Sequence, residues 1–282
     1  MLEKNQRILI VGLGLIGGSM AAALSAAGYE VAAVDTRREA LDIALSRGYI
    51  KDGYTAPGEF VSEFDTVIFA LYPHTLLQVA PSYAAYISPG TLVTDATGVK
   101  AAIVDKMQAL MPAGAEFVGA HPMAGREVSG VENATPTLFC GANFIVTPTA
   151  ANSEAAISRC EAIGRALGAS NISRLSPERH DEMIGFLSQL THCIAVALMT
   201  CKESRHLVDY TGDSFRDLTR IAKINEDMWW ELFCLNREEL LSQMDLFLEH
   251  FATLRRALAE GDEDKMKEIM RLSTERRRYF DK

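Results

Sequence analysis

The stretch that decides the fold is RILIVGLGLIGGSMAAALSAAGYEVAAVD, residues 7–35. It opens with a β-branched run (Arg7–Val11) and passes through closely spaced glycines into an alanine-rich segment (Gly17–Ala27). A second apolar run then ends at Asp35. A strand, a turn, a helix and a second strand in this order form a βαβ unit, whose strands lie parallel in one sheet. These residues therefore predict an α/β domain built on a mostly parallel sheet.

The turn of this unit carries a GxGxxG pattern whose context fits a dinucleotide site. The pattern follows a strand and opens a helix, so that backbone amides at the helix N-terminus can receive a pyrophosphate. Asp35 lies eighteen residues past the last glycine of the pattern, at the end of the second strand. A carboxylate there accepts hydrogen bonds from ribose hydroxyls and repels a 2′-phosphate, which favours NAD over NADP. Arg37 and Arg38 weaken that preference, because an arginine can pair with such a phosphate. The predicted cofactor residues are Gly12, Gly14, Leu15, Ile16, Gly17 and Asp35.

The alternation of strands and helices continues to about residue 174 and then stops. After Ser176-Pro177 the predicted elements are all helical, over residues 178–200, 226–256 and 262–280. We therefore predict a Rossmann-type α/β dinucleotide-binding domain over residues 1–174 and an all-α domain over residues 175–282. The further strand candidates are Tyr29–Val34, Thr66–Leu71, Thr91–Asp95, Phe117–Ala120, Phe144–Pro148 and Asn171–Arg174.

Charge and composition exclude several other classes of protein. The net charge is −9, which disfavours binding to nucleic-acid phosphates. No uninterrupted apolar stretch approaches the ~20 residues of a membrane span. The five cysteines form no CxxC pair, so we expect reduced thiols in a cytoplasmic protein and no metal site.

His121 is the first candidate for chemistry. It ends a strand candidate and precedes Pro122, which holds the histidine in extended backbone. Ligands of open α/β sheets bind beyond the carboxyl ends of the strands. A neutral imidazole at that edge can accept a proton. From these residues alone, a catalytic base and a hydrogen-bonded structural histidine remain equally open.

Two polar features stand out in the helical part. Ser188 and His192 lie one helical turn apart, on a face separate from the predicted core stripe. Arg220 lies among apolar neighbours and needs an anionic partner, either Asp217 or a ligand carboxylate. The predicted core stripe comprises Met183, Leu187, Leu190, Ile194, Ala197 and Cys201.

Taken together, these motifs resemble the prephenate and arogenate dehydrogenases of tyrosine biosynthesis over nearly the whole chain. The matching segments, in order, are Gly12–Gly17, His121–Gly125, Ser188–His192, Asp217–Ala222 and Met228-Trp229. The resemblance implies that His121 contacts the ring hydroxyl of the substrate. It also implies that His192 and Arg220 bind the side chain and ring carboxylate, with Ser188 nearby. Trp229 would approach the pocket from the partner subunit of a homodimer built on the helical domain.

One position departs from the family pattern. The family usually has serine before Val-Lys, where its hydroxyl contacts the ring hydroxyl and the catalytic histidine, but this chain has Gly98. Either the Thr97 hydroxyl or a water takes that role, and we list Thr97 with His121 as catalytic.

The resemblance implies NAD-dependent oxidative decarboxylation of prephenate to 4-hydroxyphenylpyruvate. The first alternative is arogenate, which carries an amino group in place of the side-chain keto oxygen and yields tyrosine directly. Further alternatives are another two-domain dehydrogenase and a non-catalytic dinucleotide sensor. The expected partners are a small-molecule substrate and a second copy of the chain, with no nucleic acid and no membrane.

Overall fold

The computed structural model describes residues 5–203 and 205–281 and contains one eight-stranded sheet. The strand order is β3-β2-β1-β4-β5-β6-β7-β8, and all neighbours are parallel except β6 and β7. The order reverses between β1 and β4, which places a crevice beyond their carboxyl ends. The strands are β1 (Arg7–Val11), β2 (Glu30–Val34), β3 (Asp52–Tyr54), β4 (Thr66–Phe69), β5 (Leu92–Asp95), β6 (Glu116–Pro122), β7 (Asn143–Thr147) and β8 (Asn171–Arg174).

Helices cover both faces of the sheet, as the sequence predicts for this part of the chain. Side chains alternate along β1, so that Ile8 and Ile10 join one core cluster while Leu9 and Val11 join the other. The first cluster includes residues of α1, α2 and α5, and the second includes residues of α3 and α4. Burial on both faces explains the continuous apolar runs of the strands. The helices are α1 (Leu15–Ala26), α2 (Arg38–Ser46), α3 (Pro73–Ala84), α4 (Val104–Leu110) and α5 (Glu154–Ala166).

The helical part begins with a continuous run over Pro177–Thr200, whose middle turn is widened. Here α6 (Pro177–Ile184) and α7 (Thr191–Thr200) are joined by a π-helical turn, Gly185–Leu190. The widened turn rotates the residues that follow it around the helix axis. The prediction that one regularly spaced apolar stripe is buried along this helix is therefore wrong. Leu187 is exposed, whereas the polar residues His180, Asp181 and Gln189 are buried. By length and composition the run could cross a membrane, contrary to our expectation, and 28% of its apolar window is buried among the described residues.

The predicted long helix over residues 226–256 is interrupted at Asn236. Its non-helical backbone separates α9 (Glu226–Leu235) from α10 (Arg237–Glu260). The Asn236 amide turns inward and donates to the Asp181 carbonyl (2.9 Å) and to Gln189 Oε1 (2.8 Å). Satisfying these buried groups accounts for the interruption. The short helix α8 (Asp213–Thr219) precedes α9.

The chain divides into two compact units, residues 1–236 and 237–282. The second unit is a helical hairpin of α10 and α11 (Glu263–Arg277), joined at Gly261, whose φ of 68° suits glycine. Asp262 caps α11 by accepting a hydrogen bond from the Lys265 amide. Several large apolar side chains of this hairpin are exposed on the single chain, among them Leu241, Leu248, Phe251, Leu258 and Met270.

Candidate active site

The glycine loop between β1 and α1 has the shape that a dinucleotide needs. Gly12 has a φ of 95°, and a Cβ there would lie 2.7 Å from the Ala70 carbonyl oxygen. A Cβ on Gly17 would lie 1.9 Å from the Gly12 oxygen. A Cβ on Gly14 meets nothing within 4 Å, which leaves open space in front of the helix. Among the described residues no side chain caps α1, so the amides of its first turn, which begins with Leu15 and Ile16, remain for a pyrophosphate. The residues fit the group.

Asp35 lies at the end of β2, beside this loop. Its carboxylate accepts hydrogen bonds from the Leu13 amide (2.7 Å) and the Arg37 amide (2.8 Å). Each oxygen keeps a second lone pair, which can accept from a ribose hydroxyl. The Arg37 guanidinium lies 3.5 Å from the carboxylate, whereas Arg38 pairs with Asp42 instead. Of the two arginines, Arg37 is therefore the one beside Asp35.

A buried polar cluster lies directly under the neighbouring strand ends. Asp95 accepts from the Lys100 ammonium (2.5 Å) and from the Ala120 amide (3.0 Å), and both charged groups are almost fully buried. Burial lowers the pKa of Lys100, although its pairing with Asp95 opposes that shift. Lys100 also donates to the Thr97 hydroxyl (2.9 Å), and that hydroxyl donates within the same turn to Asp95 or Val99. The Thr97 hydroxyl is thus committed to this cluster and is not available to a substrate, contrary to our expectation.

Gly98, unlike Thr97, faces the candidate base. A Cβ on Gly98 would lie 3.9 Å from His121 Cε1 and 3.5 Å from a Leu232 methyl. Leu232 belongs to α9. Helix α9 therefore lies close to the carboxyl end of β6, where His121 is located. A second contact joins α9 to the sheet domain, because the Glu231 carboxylate accepts a hydrogen bond from the His74 backbone amide at the start of α3 (2.5 Å).

His121 is the penultimate residue of β6 and is partly exposed. Its Nδ1 lies 2.9 Å from His180 Nε2, and His180 Nδ1 lies 2.7 Å from Asp181 Oδ1. Burial, and then the neighbouring His180 and Lys100, lower the pKa of His121 well below its ordinary value. Burial also lowers the pKa of His180, although the Asp181 carboxylate opposes this. Both imidazoles are therefore neutral near pH 7.

His192 on α7 and Trp229 on α9 lie together in the helical part. The two rings are in contact, with centroids 3.8 Å apart, within the same chain. The expected approach of Trp229 from a partner subunit is thus not required for this contact. His192 Nδ1 donates to the Ser188 carbonyl (2.8 Å), which is the contact that Ser188 contributes. Burial lowers the pKa of His192, so it too is neutral near pH 7.

Arg220 lies at the end of α8 and is more exposed than its apolar neighbours suggest. Its guanidinium pairs with Glu127, not with the predicted partner Asp217. Glu127 belongs to the segment that follows His121 in the chain. An exposed ion pair of this kind is worth little, so a ligand carboxylate can replace Glu127 at small cost.

Sequence reasoning missed four residues of this arrangement, namely Asp95, Lys100, His180 and Asp181. His180 and Asp181 lie three and four residues after Pro177, which opens the helix. A His-Asp pair beside a helix start was the one local signal, but their burial depends on tertiary packing.

Comparison with known proteins gives a consistent result over both parts of the chain. The family model described as prephenate dehydrogenase, nucleotide-binding domain, matches residues 20–172. The model described as prephenate dehydrogenase, dimerization domain, matches residues 176–272.

Individual relatives and structures agree with these matches. The prephenate dehydrogenase of Bacillus subtilis is 30% identical over 274 residues, which cover 94% of this chain and 74% of the relative. The cyclohexadienyl dehydrogenase of Zymomonas mobilis is 29% identical, with 96% of this chain and 95% of the relative covered. The crystal structure of A. aeolicus prephenate dehydrogenase with hydroxyphenyl propionate and NAD+ superimposes with a TM-score of 0.89, at 29% identity and full coverage of both chains.

Proposed function

The chain belongs to the prephenate dehydrogenase family, and on that premise we propose that it oxidatively decarboxylates prephenate to 4-hydroxyphenylpyruvate with NAD. The observation that carries the proposal is the closeness of Gly98 to both His121 and Leu232, since a Cβ on Gly98 would lie within 4 Å of each side chain. It joins the edge of the sheet beside the glycine loop to the helix that carries Trp229. A ligand in this cleft would have a neutral imidazole on one side and the His192 face on the other.

Our proposed reaction needs one base and correct positioning. Bound NAD supplies the hydride acceptor. Hydride leaves the hydroxyl-bearing ring carbon while the hydroxyl proton moves to His121 Nε2, forming the carbonyl-like bond that becomes the phenol. The bond from the ring to its carboxylate then breaks and carbon dioxide leaves, while the electron pair of that bond passes through the ring to the carbonyl oxygen. The ring becomes aromatic, and the resulting phenolate takes the proton back from His121. His121 acts here as a general base.

Arg220 binds the ring carboxylate in this proposal, taking the place of its contact with Glu127. The negative charge of that carboxylate disappears as the barrier is crossed. The contact is therefore stronger in the ground state than in the transition state and contributes to binding, not to rate.

For the cofactor, we propose that the first turn of α1 binds the pyrophosphate and that Asp35 binds the adenosine ribose. The open space before Gly14 and the second lone pairs of Asp35 support this assignment. The A. aeolicus relative with bound NAD+ also supports it. We further propose a cytoplasmic enzyme, because its relatives are enzymes of amino-acid metabolism in this family.

We propose that the functional division follows the sequence boundary, with dinucleotide binding in residues 1–174 and substrate binding and dimerisation in residues 175–282. Residues 1–4, 204 and 282 lie outside the described residues. The description of the second family model and the exposed apolar side chains of α10 and α11 support a homodimer. Sedimentation of the intact chain tests it, since a monomer at micromolar concentration would contradict the proposal.

A specific observation favours arogenate as a second candidate substrate. A carbonyl can only accept, so the bond to Ser188 places the proton of neutral His192 on Nδ1 and leaves Nε2 as an acceptor. The ammonium of arogenate can donate to Nε2, whereas the keto oxygen of prephenate needs a protonated His192. Glu127 and Arg220, the charged groups beside His192, act on its pKa in opposite directions.

The deciding experiment is to incubate the enzyme with NAD and either prephenate or arogenate and to follow the absorbance of reduced nicotinamide. Reduction with prephenate supports the main proposal. Reduction with arogenate alone replaces it by the second candidate. Reduction with neither, with NAD binding intact, would indicate a dinucleotide sensor and contradict both.

A further inference from the structure

Three side chains are joined by successive polar contacts that begin at His121. Asp181, His180 and His121 are joined by contacts of 2.7 Å and 2.9 Å, and the first two are almost fully buried. The resemblance to the family gives no role to His180 or Asp181, and neither touches the region where the substrate is proposed to lie. Their effect on the reaction must therefore pass through His121.

The charge state of Asp181 follows from its other partners. Oδ1 also accepts from the Lys100 amide (2.8 Å), and Oδ2 accepts from the Ala101 amide (2.8 Å). Backbone amides can only donate, so each oxygen already serves as an acceptor. Two such bonds, with the Lys100 ammonium nearby, stabilise the ionised carboxylate. An ionised Asp181 can only accept, which places the proton of the third contact on His180 Nδ1.

This proton position fixes the tautomer of both histidines. With its proton on Nδ1, neutral His180 offers Nε2 as an acceptor. His121 must then donate from Nδ1, and its own Nε2 is left with a free lone pair. That nitrogen is the one that a general base needs. The opposite tautomer would put a proton on Nε2 and leave nothing to receive the proton of the substrate.

We infer that His180 and Asp181 are positioning residues, which hold His121 in the tautomer whose Nε2 is the base. The charged groups that face the two imidazoles are Asp181 on α6, Asp95 at the end of β5, and Lys100 in the segment that follows it. Once His121 has taken the substrate proton, the imidazolium keeps its bond to His180, with the Asp181 charge one ring further away. The inference rests on the proposed function for its kinetic part only.

The kinetic test compares His180→Phe with His180→Gln. Phenylalanine keeps a planar ring but cannot accept from His121 Nδ1, whereas the glutamine carbonyl oxygen can. We expect kcat to fall about 10–100-fold in His180→Phe, the usual effect of losing the hydrogen-bond partner that orients a functional side chain. The KM for the substrate should stay within about threefold of the wild-type value. His180→Gln should retain more of kcat, and its kcat–pH profile should stay closer to that of the wild-type protein. A kcat in His180→Phe within twofold of the wild-type value would overturn the inference.

A second measurement needs no turnover. In protein labelled with ¹⁵N-histidine, NMR at neutral pH distinguishes protonated from unprotonated ring nitrogens, and the His121→Asn variant identifies the His121 signals. We expect a protonated Nδ1 and an unprotonated Nε2 on His121, loss of this single tautomer in His180→Phe, and its retention in His180→Gln. A protonated Nε2 on wild-type His121 would overturn the inference. If the wild-type enzyme turns over neither substrate, the proposed function fails while this measurement still decides the tautomer.

Discussion

Replacing Gly98 by serine should increase the catalytic efficiency of this enzyme. A Cβ at this position would lie 3.5 Å and 3.7 Å from the Leu232 methyls and 3.9 Å from His121 Cε1, all ordinary contact distances. Gly98 is not among the glycines with positive φ, so its backbone suits a side chain. The new hydroxyl would stand beside the His121 ring, where the family usually has one. Thr97 cannot supply it, because its hydroxyl is held by Lys100 and Asp95.

The size of the gain follows from the worth of one neutral hydrogen bond. Such a bond contributes about 0.5–1.5 kcal/mol net, and each 1.36 kcal/mol in the barrier is tenfold in rate. We therefore expect kcat/KM to rise about 2–13-fold in Gly98→Ser. Gly98→Ala is the matched control, since it adds the same Cβ without the hydroxyl. Both variants lose unfolded-state freedom and should be stabilised alike, by about 0.4–1 kcal/mol.

The assay is the initial rate of reduced nicotinamide formation over a range of substrate concentrations, with thermal unfolding measured in parallel. Serine above glycine, and alanine at or below glycine, is the expected order of kcat/KM. If serine and alanine give the same value, the Gly98 position is not at the reacting centre, and the reasoning that joins Gly98 to His121 fails.

Other perturbations test separate parts of the account. Arg220→Ala should raise KM for the substrate about 10–100-fold, the worth of a hydrogen bond between charged groups, and change kcat little; a large fall in kcat at unchanged KM would reject the ground-state role of Arg220. Asp35→Ala should lower the preference for NAD over NADP at least about tenfold, because it removes a carboxylate that repels the 2′-phosphate; an unchanged ratio of the two kcat/KM values would remove Asp35 from the ribose site. The lowered pKa values of His121, His180 and His192 mean that the unfolded chain binds more protons as the pH falls through about 6.5. Stability should therefore be lower at about pH 5.5 than at about pH 7.5, as measured by urea midpoints, and an equal or higher midpoint at the lower pH would contradict the burial of these imidazoles.

The fold of the sheet could be predicted because its signals are local. Strand β1 and the glycine turn that follows it depend on neighbouring residues only, and β1 was predicted with its observed bounds. β3 was missed because it has only three residues, Asp52–Tyr54, and lacks an apolar run. The antiparallel direction of β7 was also missed, since the direction of a strand is set by its long connections and not by its own residues.

The helical part was predicted less well, because its polar contacts are long-range. Helical periodicity assigns core positions to apolar residues, but the π turn Gly185–Leu190 shifts the face of the helix and leaves Leu187 exposed. The predicted long helix is interrupted at Asn236 because its side-chain amide bonds to Asp181 and Gln189, which are distant in sequence. The pairing of Arg220 with Glu127 is longer-range still, spanning 93 residues.

In the candidate site, sequence spacing indicates which residue types are present but not which atoms meet. His121 was predicted at the end of its strand, and it is the penultimate residue of β6. The orientation of its ring depends on His180, whose burial no local pattern shows. Thr97 illustrates a related limit, since the partners of its hydroxyl, Asp95 and Lys100, are close in sequence, but their burial as an ion pair follows from tertiary packing.

The central claim is that a neutral imidazole on residue 121 removes the substrate's hydroxyl proton. The measurement that tests it most directly is the kcat of His121→Asn across the pH range, with the wild-type substrate and cofactor. We expect kcat to fall roughly 10²–10⁴-fold, the usual contribution of a general base, while the KM values change little. A near-normal kcat at every pH would contradict the claim.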